Sequence, residues 1–153
     1  MYEKVLFADA RAQCDLDSVD ANFPGLLHLP MPKNIDENDI YRDILSEYGS
    51  YPKHTWLDIT ETPNTNSEER LWQYKDGTSV SWFNWHKDEP NGAQYNENNV
   101  EMVIDRPLYG SWDANWNDIA GNPTSPDYPG TAICTYLLPK GAEKSCTWLI
   151  EEV

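Results

Sequence analysis

Helix-type periodicity is confined to the first third of the chain, and this asymmetry constrains the fold more than any other feature. Residues 5–14 carry apolar side chains at close to a 3.6-residue period, which predicts one short helix with Cys14 on its inner face. Residues 34–49 predict a second helix, with an acidic first turn and a terminal glycine as the stop signal. Its expected inner stripe comprises Ile40, Tyr41, Ile44, Leu45 and Tyr48. The apolar residues 26–29 between the helices are strand-like.

After residue 51 the sequence changes to short β-type segments separated by polar stretches. The predicted segments are HTWLDIT, RLWQYKDGT, VSWFNW, NVEMVI and TAICTYL. Residues 88–99 and 106–130 are loop-like and rich in Asn, Asp, Gly and Pro, and long loops of this kind are usually functional. Residues 140–153 resume an apolar pattern, which predicts an added strand or short helix. Helices early and strands late predict an α+β fold in a single domain over residues 1–153.

The charge of the chain narrows the classes of partner. The 153 residues include 26 acidic and 11 basic side chains, giving a formal net charge of −15 at neutral pH. Such a surface repels phosphate backbones and anionic lipid head groups, so neither nucleic acid nor membrane insertion is expected. The longest apolar run is far shorter than the roughly 18 residues that a membrane span needs. The balance favours divalent cations as partners instead.

The chain has three cysteines, and their number and spacing limit which kinds of cysteine site it can form. Cys14, Cys134 and Cys146 are too few and too far apart for a zinc ribbon or a CxxC redox pair. Three cysteines allow one long-range disulfide and leave one cysteine outside it. Cys146 has three readings as the leftover: a buried thiol, an intermolecular bridge or an exposed cysteine. The first residues lack the features of a secretory signal, so we expect any such signal to have been removed already from this chain.

Acidic and amide side chains concentrate in the two polar loops. The candidate ligands are Glu89, Asn91 and Glu97 in the first loop and Asn117 and Asp118 in the second. Hard oxygen donors suit calcium, which takes about six to eight oxygens. Because an amide offers its oxygen to a metal while its NH₂ group still donates, such a site can also bind a sugar diol. The competing interpretation is a solvated polar loop in an acidic protein.

These residues resemble the C-type lectin domains, and specifically their mannose-type members. The shared pattern is Glu89-Pro90-Asn91, then Glu97 after five residues, then Trp116-Asn117-Asp118. The resemblance implies a double-loop fold in which two helices pack on small antiparallel sheets, with a long calcium-binding loop and Pro90 in the cis form. It covers about residues 2–138, which leaves residues 139–153 as a C-terminal extension.

The resemblance also carries expectations about cysteines and departures from the pattern. It implies that Cys14 pairs with Cys134. The family's second disulfide would join the position of Asn99 to one near Gly121, and this chain has neither cysteine. Asp58 stands where the family usually has glycine, which puts that local turn in question.

The resemblance also suggests a second, auxiliary calcium site. Glu61 with Glu68 or Glu69 would supply part of it, but Gly92 and Asn98 stand where carboxylates are expected. We therefore expect no complete second site.

The resemblance implies an extracellular, calcium-dependent lectin without enzymatic activity. Glu-Pro-Asn goes with mannose, N-acetylglucosamine and fucose in the family, whereas Gln-Pro-Asp goes with galactose. The five candidate ligands are expected to contact both calcium and sugar hydroxyls. Oligomerisation through Cys146 or a surface patch would raise the avidity of a weak single site.

Two alternatives come from other functional classes. One is an interaction protein on the same fold that binds mineral, ice or a protein partner, which the charge and a lengthened second loop favour. The other is a metal-dependent hydrolase, but no His or Lys general base accompanies the acidic cluster. Among nearby aromatic residues, Trp112, Tyr95 and Tyr109 are candidates for stacking on a sugar and Trp116 is a candidate core anchor. His86 is a further candidate ligand contact.

Overall fold

The computed structural model describes residues 5–20, 26–47, 53–62, 70–92, 96–105, 112–121, 132–136 and 148–149. Two helices and seven strands lie within these ranges. In chain order they are α1 (Phe7–Asp20), β1 (Leu27–His28), α2 (Ile35–Glu47), β2 (Lys53–Thr62), β3 (Leu71–Tyr74), β4 (Asn99–Ile104), β5 (Asp113–Ile119), β6 (Ile133–Tyr136) and β7 (Trp148–Leu149). The α+β prediction is confirmed.

The strands form two antiparallel sheets. The larger sheet has the order β3-β2-β4-β5 and the smaller one the order β1-β6-β7. Within the larger sheet, Glu101 of β4 lies opposite Asn117 of β5, and Val100 lies opposite Asp118. This register places the second half of the predicted ligand set on an ordered strand. The prediction that Asn117 and Asp118 lie in a loop is therefore wrong, because their backbone groups bond to β4.

The segment 80–85 is not a strand, although its aromatic residues predicted one. Its backbone makes an isolated bridge from Trp85 to Trp116, the Trp116 amide donates to the Asn84 carbonyl at 2.8 Å, and the Val80 amide donates to the Trp72 carbonyl at 2.9 Å, but these bonds do not form a ladder. Trp82 and Trp85 meet the Trp116 ring edge-on, at centroid distances of 5.3 and 5.8 Å. The aromatic pattern therefore reflects packing over β5 rather than pairing in a ladder.

Trp116 anchors helix α2 to the larger sheet. Its side chain is fully buried, and its indole Nε1 donates to Asn38 Oδ1 at 2.8 Å. Asn38 Nδ2 in turn donates to the Ala114 carbonyl at 3.2 Å. Both polar groups are satisfied inside the core, which fixes the helix above the sheet. The prediction of Trp116 as a core anchor is confirmed.

Helix α1 is longer than the predicted segment and is tied to the smaller sheet. Its buried face carries Phe7, Ala10, Cys14 and Ser18. Cys14 forms a disulfide with Cys134 of β6 across 120 residues, which confirms the expected pair. Cys146 lies outside the described residues.

Helix α2 begins with a reciprocal cap. The Glu37 amide donates to Asn34 Oδ1 at 2.9 Å, while the Glu37 carboxylate accepts from the Lys33 amide at 2.8 Å. Leu45 is buried as predicted, but Ile40 is 51% exposed, so its place in the inner stripe is wrong. The buried residues of α2 are Asn38 and Leu45, with Tyr41 and Ile44 partly buried against the core. Tyr48 lies outside the described residues.

The chain ends are only partly described. Strand β7 pairs with β6, with Trp148 opposite Cys134, which confirms an added strand in the last segment. In the described ranges, no helix has the length and apolar character needed to cross a bilayer. The division into a domain over about 2–138 and an extension over 139–153 stays a prediction.

Candidate functional site

The first loop is bound to strand β5 through the carboxylate of Asp118. The Asn91 amide donates to Asp118 Oδ1 at 2.9 Å, and the Gly92 amide donates to Oδ2 at 3.0 Å. Asp118 is 1% exposed, so these are bonds to a buried carboxylate. Hydrogen bonds to charged groups are stronger than neutral ones, and this pair joins the two predicted halves of the site. The side chain of Asn91 itself is exposed.

Glu89 packs beside Asp118, and a hydrogen bond with the backbone of Asn91 only partly compensates its charge. The Glu89–Pro90 peptide bond is cis, as the resemblance implies. Burial raises the pKa of the Glu89 carboxyl to about 7, and contact with Asp118 and the charge of Glu97 add to the shift. Its Oε2 is buried without a hydrogen-bond partner among the described residues. A neighbouring cation would favour the ionised form of this carboxyl.

Glu97 folds back over Gly92. A Cβ built on Gly92 would lie 1.5 Å from a Glu97 carboxylate oxygen, so this path of the side chain requires glycine. Burial raises the pKa of the Glu97 carboxyl, and the charge of Asp118 raises it further, whereas Arg70 lowers it. Glu89, Glu97 and Asp118 therefore act on one another as neighbouring negative charges.

Asn117 is held from strand β4. Its Nδ2 donates to Glu101 Oε1 at 2.9 Å, and Glu101 Oε2 lies 3.0 Å from His54 Nδ1. Glu101 is 1% exposed. With its nitrogen bonded to Glu101, the amide has its oxygen as the atom suited to a cation. Sequence analysis missed Glu101, although a carboxylate inside the apolar run NVEMVI was a visible signal.

Arg70 is the second residue that sequence analysis missed. Its Nη2 donates to Glu61 Oε2 at 2.9 Å and to the Glu97 carbonyl at 2.6 Å, and its Nη1 donates to Asp118 Oδ2. Glu61, a partial candidate for an auxiliary calcium, is therefore paired with a guanidinium. Its partner candidates Glu68 and Glu69 lie outside the described residues.

The donor set fits calcium in its chemistry. Glu89, Glu97 and Asp118 supply three carboxylates that influence one another, and the Glu89 Oε2 atom, which lacks a hydrogen-bond partner among the described residues, is suited to a cation. Among the described residues, however, no group of three or more His, Cys, Asp or Glu side chains is already spaced to hold a metal ion. Ion binding would therefore draw the carboxylates closer together.

Two further expectations concern the surroundings of the site. The ring of Trp112 stacks on His86 at a centroid distance of 3.8 Å and an angle of 17°. Its role as a sugar platform stays a prediction, and Tyr95 and Tyr109 lie outside the described residues. A Cβ on Gly121 would lie 2.4 Å from Asn99 Oδ1, so the two positions of the absent second disulfide are adjacent.

Comparison with known proteins decides the family. The family profile described as "Lectin C-type domain" matches residues 3–136, which is most of the chain. The chain belongs to the C-type lectin domain family. This family is generally non-enzymatic and carbohydrate-binding, in agreement with the prediction of a domain without enzymatic activity.

A curated relative of this C-type lectin domain comes from Pseudoferania polylepis. C-type lectin lectoxin-Enh2 of Pseudoferania polylepis is 34% identical over 86 residues, which cover 56% of this chain and 61% of the relative. The match thus spans about three fifths of the length of that protein.

Solved structures share the fold of this C-type lectin domain at low identity. CEL-I from Cucumaria echinata has a TM-score of 0.59 at 14% identity, with 79% of each chain covered. SPL-2 from Saxidomus purpuratus, described as a Ca²⁺-independent C-type lectin, has a TM-score of 0.53 at 18% identity, covering 77% of this chain and 72% of its own. These structural similarities show the double-loop fold. They do not identify the ligand of this domain.

Proposed function

We propose that this domain is a calcium-dependent lectin for mannose-type sugars, namely mannose, N-acetylglucosamine and fucose. The observation that carries the proposal is the partly buried Glu89 carboxylate beside Asp118, whose buried Oε2 has no hydrogen-bond partner among the described residues. Family membership supports carbohydrate binding, and the Glu89-Pro90-Asn91 order supports the mannose class. C-type lectins are typically secreted or extracellular, so an extracellular location belongs to the proposal.

The proposed ligand set is the one expected from the sequence. Its members are Glu89, Asn91, Glu97, Asn117 and Asp118. A bound calcium ion supplies open coordination positions for two neighbouring sugar hydroxyls. The carboxylates accept hydrogen bonds from those hydroxyls, and the two amides donate to them. Asp118 and Glu101 hold the loop backbone and Asn117 in place from the sheet.

Calcium dependence is the part of the proposal to test first, because SPL-2 shares the fold and is described as Ca²⁺-independent. A glycan array would be probed with the 153-residue chain in calcium and again in EGTA. We expect binding to mannose, N-acetylglucosamine and fucose in calcium and none in EGTA. Equal binding in both buffers would contradict a calcium-mediated mechanism.

Specificity has its own test. The double variant Glu89→Gln with Asn91→Asp exchanges amide and carboxylate, and we expect its inhibition profile to move from mannose towards galactose. The matched control is Glu47→Gln, which changes an exposed carboxylate at the end of α2. An unchanged order of monosaccharide inhibitors in the double variant would contradict the proposed geometry.

The second candidate is a non-catalytic interaction protein that binds mineral, ice or a protein partner. The formal charge of −15 favours it, since such a surface attracts cationic material. An array without glycan binding in either buffer would support this candidate over the lectin. Oligomerisation through Cys146 stays a separate proposal, tested by non-reducing electrophoresis.

A further inference from the structure

One buried guanidinium joins three separate segments around the candidate site. Arg70, immediately before β3, donates to Glu61 at the end of β2, to the Glu97 carbonyl in the loop and to Asp118 on β5. Its side chain is 13% exposed and lies over the Trp72 ring, with Cζ 4.6 Å from the centroid. A planar guanidinium with several fixed donors is suited to bridging acceptors in this way.

The bridge matters because it places one positive charge beside two carboxylates. Glu61 and Asp118 both form their ion pairs in the described structure with Arg70. Asp118 is fully buried, and a buried carboxylate without a cation is strongly disfavoured. Arg70 therefore places a positive charge and a hydrogen-bond donor on the same buried carboxylate that accepts from the amides of Asn91 and Gly92.

We propose that Arg70 is a positioning residue, a built-in cation that keeps the backbone of Asn91, Gly92 and Glu97 docked beside β5 before any metal ion or glycan binds. The guanidinium acts through Asp118 on the backbone of Asn91 and Gly92, and directly on the Glu97 carbonyl. The backbone of Asn91 and Gly92 is thus held on β5 without a divalent ion, which reduces the backbone ordering that binding requires, although the carboxylates still have to move towards the ion. This inference depends on the proposed function only for the identity of the ligand.

Amide hydrogen exchange in EDTA tests the inference without any ligand. In the wild-type chain we expect the Asn91 and Gly92 amides to be protected. In Arg70→Met we expect their protection to fall by about tenfold or more relative to Val100 and Met102 in β4. Arg70→Lys should restore protection in part, since it keeps the charge but not the planar fork.

Arg11→Met is the matched control, because it removes the other buried arginine–carboxylate pair. It should lower overall stability and leave the protection of Asn91 and Gly92 relative to β4 unchanged. Wild-type amides that exchange freely in EDTA, or equal relative protection in wild type and Arg70→Met, would overturn the inference.

Two variants keep the test decisive if Arg70→Met does not fold. Glu61→Gln removes one arm of the bridge and should lower protection less than Arg70→Met would, whereas Arg70→Lys weakens all three arms. Unchanged protection in both would overturn the role of Arg70. A separate calcium titration distinguishes the hypotheses: protected amides with no calcium binding would reject the proposed function and retain the inference.

Discussion

Arg11 of helix α1 donates through Nε to Oδ1 of Asp58 on strand β2, at 2.7 Å and across 47 residues. Asp58 is fully buried, and burial raises the pKa of its carboxyl while Arg11 opposes that shift. The backbone of Asp58 is also bonded, since its amide donates to the Pro30 carbonyl at 2.8 Å and its carbonyl accepts from Lys75 at 3.1 Å. The aspartate in the position of the usual glycine is thus accommodated in β2 at an irregularity in the pairing with β4, between Leu57 and Thr60.

We expect Arg11→Met to lower the free energy of unfolding by about 3 kcal/mol, because it leaves a carboxylate in the core without a cation. Adding Asp58→Asn to this variant should recover part of the loss, since the buried charge is then removed. Urea unfolding of the two single variants and the double variant would measure the coupling. Strictly additive effects would show that the pair contributes no coupling.

Calcium binding should release a proton near pH 6.5. The pKa of Glu89 is raised from 4.5 to about 7, mainly by burial, so at about pH 6.5 the Glu89 carboxyl of the metal-free protein is largely protonated. A bound calcium ion requires the carboxylate form. Calorimetric titration in two buffers of different ionisation enthalpy would count the proton. Glu89→Gln should abolish the buffer dependence, and equal heats for wild type in both buffers would contradict the prediction.

The raised pKa of Glu89 also affects how the stability of the metal-free protein depends on pH. Because the pKa of Glu89 is higher in the folded state, the native chain binds more protons than the unfolded one between about pH 4.5 and 7. We therefore expect the contribution of this group to stability to be present at low pH and lost as the pH rises through 7. Thermal unfolding in EDTA at pH 5 and pH 8 would show it as the difference between wild type and Glu89→Gln. A higher relative stability of wild type at pH 8 would contradict this sign.

Gly92→Ala should displace the Glu97 carboxylate, because the new methyl group occupies its position. We expect calcium affinity to fall by about 10- to 100-fold, the range typical of disturbed ligand support. Calorimetry would measure the affinity. Gly77→Ala is the matched control: Gly77 has a φ of 84°, so alanine there strains a turn and should lower stability without changing calcium affinity. Equal losses of affinity in both variants would point to a general loss of structure.

Asn99→Cys with Gly121→Cys should form a disulfide, because a Cβ on Gly121 already reaches the Asn99 side chain. Closing a loop of about 22 residues is expected to stabilise the chain by about 3 kcal/mol in the chain-entropy model. Urea unfolding with and without reductant would measure the gain, and Asn99→Cys alone is the control. A double variant that retains two free thiols under oxidising conditions would contradict the adjacency.

Local sequence patterns predicted the outline of the fold. They did not predict features that depend on how distant segments pack together. Apolar period and capping located both helices, yet Ile40 was assigned to the core because its exposure depends on how α2 lies on the sheet. The aromatic segment 80–85 resembled a strand because packing over Trp116 selects the same residue types as a ladder.

The sequence by itself determined the α+β class, since this depends on local residue patterns, and its resemblance to C-type lectin domains implied the Cys14–Cys134 pair and the proposed set of oxygen donors. Only the tertiary structure decided that Arg70 neutralises Asp118, that Glu101 holds Asn117, and that Glu97 lies over Gly92. The physical reason is that charge and burial depend on neighbours brought from distant segments. Residues 48 positions apart in the chain, such as Arg70 and Asp118, carry no local signal of their contact.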